Sequence, residues 1–172
     1  VKKVHTNITF ISANIINKKV ILDNIDLNDI PNNNLGQVYW SLLAILKGNK
    51  NIFVSKKIFA ARQFNSGNYD FCQVFGKNFI STIELVNKDF NTEKIIYILK
   101  KRLAMIYLPA NIVRLRNNMS AVKYSGCFKT LFPIYKTNPF FWIFTIPAMI
   151  LPKKMALFFY RIVDKVRKSE KI

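Results

Sequence analysis

Along the first half of the chain the apolar residues come in short blocks with two different periods. Ile8-Thr9-Phe10-Ile11 through Ile15-Ile16 is nearly continuous and rich in β-branched residues, which predicts a buried strand that bends where Ser12, Ala13 and Asn14 fall together. Lys18-Lys19 open a short helix or turn. Asp23 to Asn34 is polar and ends in Pro31-Asn32-Asn33-Asn34, which is loop chemistry. Leu35, Val38, Tyr39, Leu42, Leu43, Ile45 and Leu46 then recur at helical spacing, with Gly48 as the stop signal. Ile52-Phe53-Val54 and Ile58-Phe59-Ala60-Ala61 predict further strand. Asn65-Ser66-Gly67-Asn68 is a turn, and Tyr69 to Asn87 predicts a helix packed through Phe71, Val74, Phe75, Phe79, Ile83 and Val86.

The second half is helical in period throughout. Ile95 to Leu108 is apolar on most faces, with Lys100-Lys101-Arg102 on the remainder and Pro109 ending or kinking it. Short helices follow, punctuated by Gly126, Pro133, Pro139, Pro147 and Pro152, and no internal repeat is present. The pattern therefore predicts α/β structure over residues 1–90 and a mainly α-helical region over residues 91–172. Pro139 to Leu151 is the most hydrophobic stretch, yet as a helix it rises only about 20 Å against a hydrocarbon core of about 30 Å. Lys153-Lys154 follow at once, and then Met155 to Val163. This is the pattern of a segment lying in a membrane interface, with Trp142, Phe158 and Phe159 in the apolar layer and Lys153, Lys154 and Arg161 at the headgroups. The alternative is that the same aromatics form the core of a helical subdomain.

Charge sharpens this picture. Twenty-seven Lys and Arg face nine Asp and Glu, a formal +18, so the chain repels itself unless an anionic partner stands near. Seven of the nine acids precede Lys94, and from Lys94 through Val163 twelve basic residues occur without one carboxylate. Basic and aromatic together favour an anionic membrane surface. An abundance of Ile, Asn, Lys and Phe, which AT-rich coding also produces, accounts for part of the excess. A nucleic-acid reading draws on Arg114, Arg116, Lys123 and Lys129 with Tyr124 and Phe128 between them, but no zinc-finger, RNP-type or helix-turn-helix pattern accompanies them, and no nucleic-acid partner is expected. Cys72 and Cys127 are too few and too distant in sequence for a metal cage or disulfide framework, so both are expected to be reduced and structural. Val1-Lys2-Lys3-Val4-His5 does not open a secretory signal, which places the expected location at the cytoplasmic face of the cell membrane. A Val at position 1 fits either a fragment or a reading frame begun at a non-standard start codon.

Chemistry is sparse. Neither G-x-G-x-x-G nor G-x-x-x-x-G-K-[ST] occurs, and His5 is the single histidine, which leaves dinucleotide, P-loop and His-dependent hydrolytic sites without their residues. No Asp-x-Asp pair is present to hold a divalent cation. Asp23, Asp26 and Asp29, three apart, serve either as loop and cap residues or, singly, as a general base.

Three segments carry a resemblance: Phe10-Ile11-Ser12-Ala13-Asn14-Ile15-Ile16-Asn17-Lys18-Lys19, Gln37-Val38-Tyr39-Trp40-Ser41-Leu42-Leu43 and Asn65-Ser66-Gly67-Asn68-Tyr69-Asp70-Phe71. From Phe10 to Phe79 the chain resembles the acceptor half of bacterial family 2 glycosyltransferases, in the branch of abequosyltransferase and other O-antigen or capsule sugar transferases. The resemblance implies a partial GT-A-type α/β fold, a nucleotide-sugar donor, a lipid-linked saccharide acceptor and a C-terminal region docked on the membrane. It also implies Asp26 or Asp29 as general base, and Gln37, Trp40, Arg62 and Tyr69 at the acceptor. Similar enzymes carry an N-terminal Rossmann-like half ending in an Asp-x-Asp site for magnesium or manganese. That half is missing here, so no metal or cofactor is expected in this chain. The expectation is a truncated transferase of surface-polysaccharide assembly; the alternative is a non-enzymatic membrane-peripheral or polyanion-binding protein.

Overall fold

Gly48 stops the helix built by the leucines before it, and Asn33 starts that helix from the other side. In the computed structural model, which describes residues 15–23, 30–48, 50–52, 69–87, 90, 93–117 and 126–169, α2 spans Gly36–Lys47 with Gly48 as C-cap. The Asn33 carboxamide accepts from Leu35 N–H at 2.8 Å and donates to Thr82 Oγ1 at 3.3 Å, so the Pro-Asn-Asn-Asn loop is tied to a fully buried hydroxyl. A short α1 (Lys18–Leu22), capped by Asn17, lies against α2. The helix predicted over 69–87 begins at Phe71: the Asp70 carboxylate accepts from Gln73 N–H at 2.8 Å. It comprises a wide π segment, Cys72–Asn78, and α3 (Phe79–Asn87).

No strand or sheet forms among the described residues, so the α/β expectation is corrected: the described chain is helical. Short apolar runs do not by themselves distinguish strand from buried helix. Ile15, taken as the end of a buried strand, is 98% exposed and belongs to no strand. Ile16 and Ile52 likewise belong to no strand, and Ile52 is 91% exposed; residues 1–14 and 53–68, which hold the remainder of the predicted strands and the Asn65–Asn68 turn, lie outside the described residues.

Two compact units divide the chain. One takes Val1–Gln63 and Asn78–Ile96; its core is formed where α2 packs on α3 through Val38, Leu42 and Leu43 on one helix and Phe79, Ile83 and Val86 on the other. The other unit takes Phe64–Lys77 and Tyr97–Ile172. Here α4 (Glu93–Arg102), whose residues from Tyr97 on belong to this unit, runs on through a second π segment, Leu103–Tyr107, into α5 (Leu108–Arg116). Then come α6 (Cys127–Tyr135), a third π segment (Phe141–Thr145), α7 (Ile146–Ile150) and α8 (Lys153–Ser169).

Pro109 was expected to end or kink its helix, and the chain passes through it instead. Leu108 N–H donates to Leu103 O, five residues back, and Ile146 N–H likewise to Phe141 O just ahead of Pro147. A proline ring collides with the carbonyl four residues earlier. Those carbonyls belong to Met105 and Ile143, the central residues of the two π segments, so each widened turn makes room for its proline without breaking the helix.

The cysteines correct another expectation: Cys72 and Cys127 are joined in a disulfide, with Cα atoms 5.3 Å apart. Separation along the sequence hid a close helix crossing. A Cβ on Gly76 would collide with Leu131 Cδ2, so glycine is what lets α6 approach. Cys72 and Gly76 are four apart on one helix, as Cys127 and Leu131 are on the other. The two pairs therefore stack one turn apart along a parallel crossing. In chain-entropy terms, closing a separation of 55 residues contributes about 4 kcal/mol.

Candidate membrane-docking surface

Three helices of the second unit lie in succession, and ring contacts join them. Asn138 caps the middle one, with Pro139 in its first turn: its side chain accepts from Phe140 N–H at 3.0 Å. Along this 139–150 helix Phe141, Thr145 and Ala148 are fully buried, and Thr145 Oγ1 donates to Ala104 O at 2.6 Å. Ile143 and Ile150, seven apart and thus on one stripe, are 55% and 70% exposed on the opposite side.

The flanks of the middle helix make the joints. On one flank Trp142 meets Phe132 of α6 edge-on at 6.1 Å, and Phe132 in turn meets Phe128 at 5.2 Å. The Trp142 indole N–H donates to Lys136 O at 2.8 Å, which fixes the ring. Below them Tyr135 stacks on Phe141 at 5.7 Å, fully buried. On the other flank Phe144 meets Phe159 of α8 at 6.2 Å. Residues 144 and 159 are symmetric about Leu151 and Pro152, as expected for an antiparallel hairpin of helices, and the buried Ala148 and Ala156 are placed nearly symmetrically too.

Arg116 closes the first arm of the hairpin. Its guanidinium donates to Ala148 O at 2.5 Å and to Leu151 O at 2.7 Å, supplying the donors that the C-terminal carbonyls of α7 lack. On α8, Ala156 is buried while Met155, Phe158 and Ile162, at steps of three and four, form one exposed stripe; Phe158 is 66% exposed. Lys154, Arg161 and Lys165 form the neighbouring exposed row. On α6 the outer positions beyond Phe128 and Phe132 are Lys129 and Lys136, again seven apart and exposed. Exposed apolar residues thus occur on three helices joined by ring contacts, with exposed basic residues beside them on α8, on α6 and just past the end of α6.

Of the residues singled out from sequence as membrane-facing, Trp142, Phe158, Lys153, Lys154 and Arg161 are exposed, and Phe159 is half-buried as the joint to Phe144. Phe128, Phe132, Ile143, Ile150, Met155 and Ile162 were not assigned there. The seven-residue spacing of Ile143 and Ile150, and of Lys129 and Lys136, is the signal that marks them.

Of the acceptor residues implied by the resemblance, three are described by the structure: Gln37, Trp40 and Tyr69. Asp26, Asp29 and Arg62 lie outside the described residues. Gln37 is half-buried on α2, and Trp40, one turn along, is 37% exposed rather than core. Tyr69 belongs to the second unit, where it packs edge-on against Phe75 at 5.9 Å. Phe75 and Phe71 both touch Tyr107, at 5.7 and 5.8 Å, so Tyr69 belongs to a cluster of four rings. Burial raises the Tyr69 phenol; burial first, then the nearby Tyr69 charge, raises Tyr107 far above the ordinary range. No group of three or more His, Cys, Asp or Glu able to hold a metal ion occurs among the described residues, and no described helix is long and apolar enough to cross a membrane. Comparison with protein-family models, curated proteins and solved structures yields no match.

Proposed function

We propose that the second unit docks the protein peripherally on an anionic phospholipid surface, with α6, the 139–150 helix and α8 lying in the interface. The observation that carries this reading is the exposed apolar stripe of α8, Met155, Phe158 and Ile162, bordered by Lys154, Arg161 and Lys165. An amphipathic helix with basic residues beside a Phe-containing apolar face binds by burying that face at the acyl boundary while its cations meet lipid phosphates. Charge complementarity favours a bilayer over a second copy of the chain. A +18 molecule with no carboxylate from Lys94 to Val163 repels itself. The sugar-transferase activity implied by the resemblance keeps its sequence support alone, without the α/β frame.

Co-sedimentation with vesicles tests the reading. The chain is expected to bind phosphatidylglycerol-containing vesicles, to bind pure phosphatidylcholine weakly, and to be released only in part by high salt. Replacing Met155, Phe158 and Ile162 together with Ser is expected to weaken partition by at least about a hundredfold, since each buried side chain is worth roughly 1.5–3 kcal/mol. Equal binding by that variant, or no binding by the parent chain to either vesicle, sinks the reading.

A further inference from the structure

Of the three helices in the docking surface, α6 is the least able to stand alone. It has nine residues, below the length at which a helix holds itself in water. Its N-cap is Gly126, in the left-handed region at φ +60°, with no side chain to accept from the first turn. Pro133 removes one hydrogen bond from its interior. What holds it is tertiary: Tyr135 stacked on Phe141 at its end, Leu131 against Gly76 at its middle, and at its first residue the bond from Cys127 to Cys72. Phe128 lies in that first turn and leans on Phe132, so the disulfide fixes the turn that presents the outer rings of the surface.

We propose that the Cys72–Cys127 disulfide is a redox-operated latch on the α6 edge of the docking surface; the link to lipid rests on the docking reading above. In the step itself a dithiol reductant attacks one sulfur, the Cys72–Cys127 bond breaks, and the reductant closes to its own cyclic disulfide. Two electrons and two protons pass to the protein, which gains two thiols. Both cysteines are buried, so exchange proceeds through opening of the first turn of α6, the turn that has no side-chain cap. With the thiols separated, Phe128 and Phe132 leave their fixed places and Phe132 its contact with Trp142, whereas α8 and its stripe remain tied through Phe144–Phe159.

The full chain is compared oxidised and after treatment with dithiothreitol, with the mass gain of two hydrogens confirming the state. Three readouts are taken: partition into phosphatidylcholine vesicles containing phosphatidylglycerol, amide exchange over residues 127–132, and helix content by circular dichroism. Reduction is expected to accelerate exchange over 127–132, leave helix content nearly unchanged, and weaken partition about tenfold through loss of part of the aromatic contact. The C72S/C127S variant is expected to match the reduced chain with or without dithiol. Unchanged exchange over 127–132 overturns the latch, whatever partition does; so does unfolding of the whole chain on reduction, and so does equal partition by the two forms. If the oxidised chain binds no vesicle, the docking reading fails and the exchange comparison alone decides the latch.

Discussion

At the scale of single residues, two side chains of the second unit make separable predictions. Tyr107 is held neutral by burial, and its phenol titrates well above that of a free tyrosine. A raised acid favours the folded state as long as the unfolded chain also keeps its proton. This contribution is therefore complete below about pH 10 and is lost as pH rises from there toward the folded value. Thermal melting followed from pH 8 to 11 is expected to show a decline beginning near pH 10, and Y107F, which keeps the ring contacts, is expected to flatten it. Arg116 acts through two carbonyls, Ala148 O and Leu151 O. R116A is expected to destabilise by about 1–3 kcal/mol, and R116K to recover little, because an ammonium does not reproduce the planar fork; chemical denaturation checks both. Neither role was legible in the sequence. Arg116 was noted only as a cation beside aromatics, and its partners lie more than thirty positions away.

At the scale of elements, the sequence was most informative where a local rule has no competitor. Gly48 as a helix stop and the break at Pro152 follow from short-range chemistry, and the helices respect them. Pro109 and Pro147 did not behave as breaks because a widened turn ahead of each absorbs the clash, and whether a helix takes that route depends on what its neighbours bury. The disulfide was illegible for a related reason: its cause is Gly76, which reads as an ordinary helix-weakening glycine until Leu131 is seen against it. G76A improves helix propensity by up to about 1 kcal/mol but forces Leu131 from a fully buried position, with a cost of about 1–3 kcal/mol. A net loss of stability is expected, and L131A introduced into G76A is expected to cost less than L131A alone. A denaturant double-mutant cycle measures that coupling.

At the scale of the whole molecule, the charge asymmetry was legible before any helix was placed, because an acid-free span of seventy residues needs no geometry to be seen. Which apolar residues face outward was a matter of packing. Phe141 and Trp142 are neighbours of similar hydrophobicity, and one is core while the other is exposed. If the basic rows act collectively, K154Q/R161Q/K165Q is expected to remove most of the preference for phosphatidylglycerol over phosphatidylcholine while leaving the weaker binding to neutral vesicles, as co-sedimentation at two salt concentrations would measure. Lys153 and Lys154 sit just past the turn of the hairpin, both exposed, so in the docking proposed above the tip would meet phosphate groups instead of hydrocarbon, with α8, about 25 Å long, along the bilayer. A body held that way displaces headgroups in one leaflet only. Each docked molecule enlarges the outer layer relative to the inner one, and the strain of that mismatch is lowest where the membrane already bends toward the protein, so small vesicles are expected to recruit it ahead of large ones of the same lipid.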